Sequence, residues 1–398
     1  MKHIHTPLFS PPAWGGIVLL SLLCLNPLLA LADTTATPAP VTTAPMTANA
    51  AASRPLAPIP NAQQLFSGLV DKAIKPLYQE LETSSQQLTA ASQAFCTATD
   101  SGNFARLRTA WVNTLLAWQR TDPLLFGPAV ENEVDYHINF NPPKKRVINQ
   151  LLADSAPITV AALEQKGVGG QGLSTLEYLL YDRDKTEADL LAAFQGEAGQ
   201  RRCAYVQAAS ELLQRHIHTL TDAWLRQDNS FADALRQAGH GSAVFSSDRE
   251  ALDLLVSKLY QTAEKLTLKL GKPMGIIIQG APNPYELEAW RSGQSIAITR
   301  AHVEGMQRLL KEGGWLEWLR THYDNLLAQQ ITAALEQLTA DYLKIPEPAA
   351  DPFVLLEQGD KQAMMEFYQR SYGIQMGIKR QLAKLLDVRF GFNDNDGD

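Results

Sequence analysis

The chain is 398 residues long, 45% hydrophobic and 19% charged, with a formal charge of −7. Its longest basic run, Lys144-Lys145-Arg146, is too short to form an electrostatic footprint for nucleic acid, so no nucleic-acid partner is expected. At the start, Lys2 is followed by an apolar run over residues 17–25, then Pro27 and the small-residue triplet Ala30-Leu31-Ala32. This order predicts a signal peptide over residues 1–32, cut before Asp33, and a periplasmic or envelope location. The alternatives are an uncleaved anchor, although residues 17–32 fall short of the roughly 20 that span a bilayer, and lipidation of Cys24, where Leu23 stands in place of a small residue. Loss of residues 1–32 removes Lys2 and no acid, leaving −8.

Residues 33–60 are mostly Ala, Thr and Pro and read as a disordered tether. From Asn61 onward, apolar residues recur at steps of three and four, the period of amphipathic helices. Leu65, Leu69, Ala73, Leu77 and Leu81 form one stripe; Phe104, Leu107, Trp111, Leu115 and Trp118 a second; Cys203, Val206, Leu213, Leu220 and Trp224 a third. Further stripes run over residues 252–266, 296–310, 316–338 (with Trp315, Leu319, Tyr323 and Leu327) and 364–386, while Gly- and Pro-rich breaks separate them. The count predicts an all-α protein of two four-helix bundles packed side by side, over residues 61–235 and 236–398. Gly172-Leu173-Ser174 and Gly293-Gln294-Ser295 open helical stretches at matching places, which points to duplication. Two cysteines survive cleavage, Cys96 and Cys203. An oxidising compartment favours their pairing, and the alternative is two buried free thiols.

The segment from Gly167 to Gly172 carries four glycines and opens a helix, and helix starts favour anions. Ser174 and Glu177 also spell S-x-x-E, a capping box in which both side chains merely satisfy backbone donors, and spacing leaves both readings open. Glu131, Glu133, Asp135 and His137 alternate, and in an extended strand they would present an oxygen-rich set to a hard cation; on a helix they would scatter. His216 and His218, two apart on a helix, read as surface residues. Arg291, Ser292, Ser295 and Arg300 suit an anion at a helix start, the alternative being an arginine paired with Glu288 or another acid. Trp111, Trp118, Trp224 and Trp290 read as core. Asp394, Asp396 and Asp398 read as an acidic tail, because no distal glutamate follows to close a calcium loop. No H-E-x-x-H, G-x-S-x-G, phosphate-binding loop or dinucleotide fingerprint occurs.

The stretch from Gly172 to Leu180 resembles the imelysin family's G-x-H-x-x-E segment, with Ser174 where the histidine would stand. Ala117-Trp118-Gln119-Arg120, Leu125-Phe126-Gly127-Pro128, Trp290-Arg291-Ser292-Gly293-Gln294-Ser295 and the closing residues 391–398 are similar to further family segments in the same order. The resemblance implies two four-helix bundles with a site where they meet, an envelope location, association with iron acquisition, and a family name that began with a proposed metallopeptidase activity. Enzymatic activity is the weaker expectation here, because a catalytic zinc needs about three protein ligands and Glu177 is the single candidate. The expected protein is an exported binding protein with Ser174, Glu177, Tyr178, Arg291, Ser292 and Ser295 around its ligand and Glu177 on any metal. The ligand would be iron, another divalent cation or a small anionic metal chelate, and other envelope iron-uptake components would be partners. The alternatives are a metal-dependent peptidase using Glu177 and a structural or protein-docking module.

Overall fold

The computed structural model describes residues 58–323, 325–388 and 390; the expected signal segment, nearly all of the tether and the acidic tail lie outside them. The long helices follow the apolar stripes. The first, α1 (residues 62–97), joins Ala62–Leu69 to Lys75–Thr97 through a π-helical turn at Val70–Ile74. Its stripe advances by four residues at every step, which overshoots a 3.6-residue turn. The wider π turn takes up the drift, and Leu65, Leu69, Ala73, Leu77 and Leu81 all stay buried. Helix α2 is Ser101–Arg120, opened by Asp100, whose side chain accepts from the Asn103 N–H. Then come α3 (Gly172–Leu180), α4 (Gly196–Leu225), α5 (Asp248–Gly271), α6 (Ser295–Gln307), α7 (Leu326–Lys344) and α8 (Gln362–Met376), with short helices between. Among the described residues there is no strand.

Helix α1 packs on α2 and α4, and α3 packs on α2 and α4; likewise α5 packs on α6 and α8, and α7 on α6 and α8. Helix α6 also lies against α2 of the first set. That approach depends on Gly305, where a Cβ would stand 2.1 Å from the Arg120 carbonyl oxygen. The first core centres on Trp111, whose indole N–H donates to the Leu173 carbonyl at 3.0 Å, and on Trp224, stacked 5.1 Å from Tyr78. A disulfide joins Cys96 on α1 to Cys203 on α4, so the reading as two free thiols does not hold.

The stripe expected to run unbroken over residues 316–338 is divided. Trp315–His322 ends there, and Asn325 caps α7 by accepting from the Ala328 N–H at 2.8 Å. Leu327, counted in the stripe, is consequently exposed.

Candidate functional site

Gly172 opens α3 with φ +81°, and a Cβ there would lie 2.6 Å from the Ile138 carbonyl oxygen; both the backbone geometry and the close approach require glycine. The helix therefore begins three residues earlier than an S-x-x-E cap would place it. Ser174 lies inside the first turn and its hydroxyl donates to the Phe140 carbonyl, so it caps nothing. Released from capping, Glu177 is 3% exposed and reaches the second set of helices. Its Oε1 accepts from the Ser292 N–H at 3.0 Å and from the Ser292 hydroxyl at 2.9 Å. Burial pushes the Glu177 carboxyl above the usual range, against the opposing pull of the Ser292 donors and the Arg291 cation.

Arg291 follows Trp290 and lies over two rings, 4.1 Å from the centroid of Trp290 and 5.2 Å from that of Tyr178. Among the described residues no carboxylate forms an ion pair with Arg291, and Glu288 pairs with Lys269 instead; the alternative of an arginine paired with another acid is realised at Arg300, which meets Glu347 at 2.9 Å. Tyr178 is anchored by its hydroxyl, which donates to Asn149 Oδ1 at 3.1 Å. Trp290 is half-buried rather than core, and it faces the cleft. Two expected site residues turn elsewhere. Ser295 is buried and donates to the Glu288 carbonyl at 2.7 Å, while Arg300 ties α6 to the end of α7 through the Leu343 and Ile345 carbonyls and Glu347. The structure thus brings together Glu177, Tyr178, Arg291 and Ser292, and leaves Ser174, Ser295 and Arg300 as structural fastenings.

Glu177 and Arg291 open on a cleft of about 1010 Å³ between the two sets of helices. Asp122, Leu125, Val130 and Tyr136 line one side; Lys265, Lys269, Lys272, Tyr285 and Trp290 line the other. Beneath it lies a polar network that sequence reasoning missed. Glu288 meets Lys269 and accepts from Gln119 at 3.0 Å and Asn139 at 2.9 Å; Lys265 meets the buried Asp122 at 2.6 Å; His302 meets Gln119 at 2.6 Å. Burial holds the His302 imidazole down to about 3, so it is neutral. Burial acts upward on Asp122, but the Lys265 and Lys269 charges overcome it and hold the carboxyl well below the usual range. The sequence signal was available: Lys258, Lys265 and Lys269 recur on one face of α5 beside its apolar stripe, and Lys272 follows at the helix end.

The alternating acids do not gather. Glu131–Glu133 is a single 3₁₀ turn with Asn132 and Glu133 at positive φ, and Val134–Ile138 is helical, so the extended arrangement a cation would need is absent. Among the described residues no three His, Cys, Asp or Glu side chains converge as a ligand set. The donor chemistry at Glu177 points the same way, since one oxygen takes both Ser292 donors and a guanidinium stands beside it. His216 is not a surface residue: it is half-buried, 3.1 Å from Gln171 Oε1 and packed on His137 at 4.8 Å, and burial with that neighbour holds it down to about 4. His218 does face solvent and meets Glu82 and Asp222.

The imelysin family model matches residues 74–370. Iron-regulated protein A of Synechococcus elongatus is 21% identical over 298 residues, 72% of this chain and 76% of that protein. An imelysin-like protein from Psychrobacter arcticum shares the fold with a TM-score of 0.66 at 23% identity, covering 85% of this chain and all of that one. A structure described as an iron-regulated protein A precursor from Parabacteroides distasonis aligns with a TM-score of 0.68 at 14% identity, over 83% of this chain and 97% of its own.

Proposed function

The chain belongs to the imelysin family, and from that premise we propose that it is an exported binding protein of the bacterial envelope, associated with iron acquisition. Its ligand is an anionic metal-containing species seated in the cleft between the two sets of helices. The observation that carries this reading is Arg291: a half-buried guanidinium, fixed over two rings at the edge of a large cleft, with no carboxylate paired to it among the described residues. A half-buried guanidinium whose neighbouring carboxyl, Glu177, is taken up by Ser292 is poised for an anion. Glu177 fastens the backbone that presents it, through Ser292. Export is supported by the N-terminal pattern and by the Cys96–Cys203 bond, which suits an oxidising compartment, and other envelope iron-uptake components are the natural partners. The iron association is supported by the names of the relatives. Duplication is supported by Gly172 and Gly293, both at positive φ, the first opening α3 and the second two residues before α6, in segments that meet through Glu177 and Ser292.

A bare metal ion held by Glu177 is the second reading. Titration calorimetry with ferric citrate and with ferrous salt, on wild type, Glu177→Ala and Arg291→Ala, separates the two. The anionic ligand predicts ferric citrate binding that weakens about tenfold or more in Arg291→Ala; ferrous binding lost only in Glu177→Ala supports the bare ion. Binding untouched by either substitution, with stability lowered in Glu177→Ala, leaves a structural or docking module. A peptidase has support only in the family's history, and chelator-sensitive cleavage of a peptide library that disappears in Glu177→Ala would establish it.

A further inference from the structure

The cleft is far larger than an ion requires. Its volume of about 1010 Å³ stands at the upper end of the roughly 300 to 1,000 Å³ typical of organic-ligand pockets, whereas a water molecule occupies about 30 Å³. Among its lining residues are exposed apolar side chains on both sides. Tyr136 is 52% exposed on one wall; Tyr285 is 62% and Ile278 73% exposed on the other. Scattered exposed apolar residues need no explanation, but several gathered at the mouth of one cleft mark a binding groove.

Tyr285 is not a loose side chain. Its ring stands edge-on to Trp290 at 5.1 Å and to Phe353 at 5.2 Å, and Trp290 and Phe353 stack on each other. The result is an ordered aromatic wall that carries Arg291 on its Trp290 face, with Lys272 exposed on the same side of the cleft. Most acids in the cleft are already engaged: Asp122 by Lys265, Glu288 by Lys269, Glu177 by Ser292 and Glu286 by Asn283, leaving Asp135 on the far side.

We infer that the cleft takes an anion bearing one or more aromatic rings, the rings lying against Tyr285 and Tyr136 and the negative charge meeting Arg291. The inference rests on the reading of this cleft as the ligand site and names the class of organic group its ligand contains. Such a group reaches the cleft either as a metal chelate or free, and the experiment distinguishes the two. Calorimetry would use 2,3-dihydroxybenzoate as its ferric complex, the same compound without iron, and ferric citrate as a ring-free anion.

The aromatic ferric complex should bind about tenfold more tightly than ferric citrate, the gain expected of one or two well-placed ring contacts. Tyr285→Ala and Tyr136→Ala should remove most of that advantage and leave ferric citrate unchanged, Tyr285→Phe should retain it, and Arg291→Ala should weaken both complexes. Both tyrosines are exposed, so their removal leaves the core intact, and circular dichroism verifies it. Equal affinity for the two ferric complexes overturns the inference while leaving the anionic-ligand reading in place, as does an aromatic advantage that survives both alanine variants. Binding of the iron-free compound alone upholds the inference and overturns the metal-bearing ligand. No binding of any probe overturns both.

Discussion

Ser292 offers two donors to one oxygen of a buried carboxyl group, so the contact between Glu177 and the second half of the chain is directional. Removing the hydroxyl in Ser292→Ala leaves the N–H and should lower stability by about 1 kcal/mol, measured by urea unfolding. The pH dependence has a definite sign. Because burial raises the Glu177 carboxyl, its protonated form is the one the fold prefers; that stabilisation is complete below the ordinary value of 4.5 and declines as pH climbs through the raised one. Glu177→Gln keeps the group neutral, so its stability relative to wild type should improve from pH 4 toward neutrality. A relative stability that worsens over this range would show that the fold favours the ionised carboxylate. The sequence pointed to this residue but left its role open, because Ser174-x-x-Glu177 has the spacing of a cap. What decided against the cap was Gly172, whose positive φ starts the helix early and puts Ser174 inside it.

At the scale of elements, the meeting of α2 and α6 is the contact least tolerant of added volume. A methyl group at Gly305 would fall on the Arg120 carbonyl, a backbone atom that moves only if a helix moves. Gly305→Ala should therefore lose about 1 to 3 kcal/mol, as overpacked sites do, and thermal melting beside a control such as Gly373→Ala, a helical glycine whose added methyl would meet nothing closer than 3.4 Å, would reveal a merely general glycine effect. The helices themselves were legible, since the stripes over α1, α2, α4 and α5 are all buried as expected. The division before α7 was not, because apolar steps continue across Tyr323 and only Asn325 signals a new start. Nor was the placing of Arg300, which periodicity sets on a polar face without saying that the end of α7 lies within its reach.

For the whole molecule, the polar network around His302 links the two sets of helices through Gln119 on α2 and Asp122 after it. A histidine held down to about 3 is neutral in the fold, while the unfolded chain takes up a proton below about 6.5. Stability should consequently fall by a few kcal/mol as pH drops from about 6.5 to 3. His302→Gln, which preserves a partner for Gln119, should flatten that decline in pH-dependent unfolding; an unchanged slope would assign it to other groups. The network as a whole could not be read in advance, because its members come from five separate stretches of the sequence. The lysine face of α5 was visible in the spacing, yet only the fold says which acids it meets.

The segment from Glu288 to Ser295 is fastened at each turn to a different neighbour: Glu288 to Lys269, the Trp290 carbonyl to Arg183 at 2.6 Å, Ser292 to Glu177, and Ser295 back to Glu288. Ala289 is held within it at φ +52°, a conformation alanine adopts only under constraint. A wall so tied loses little freedom when a guest arrives, because its ordering was completed when the chain folded. A ligand seated against it would be selected by shape and charge matched in advance, since such a wall has little capacity to remould itself around a poor fit.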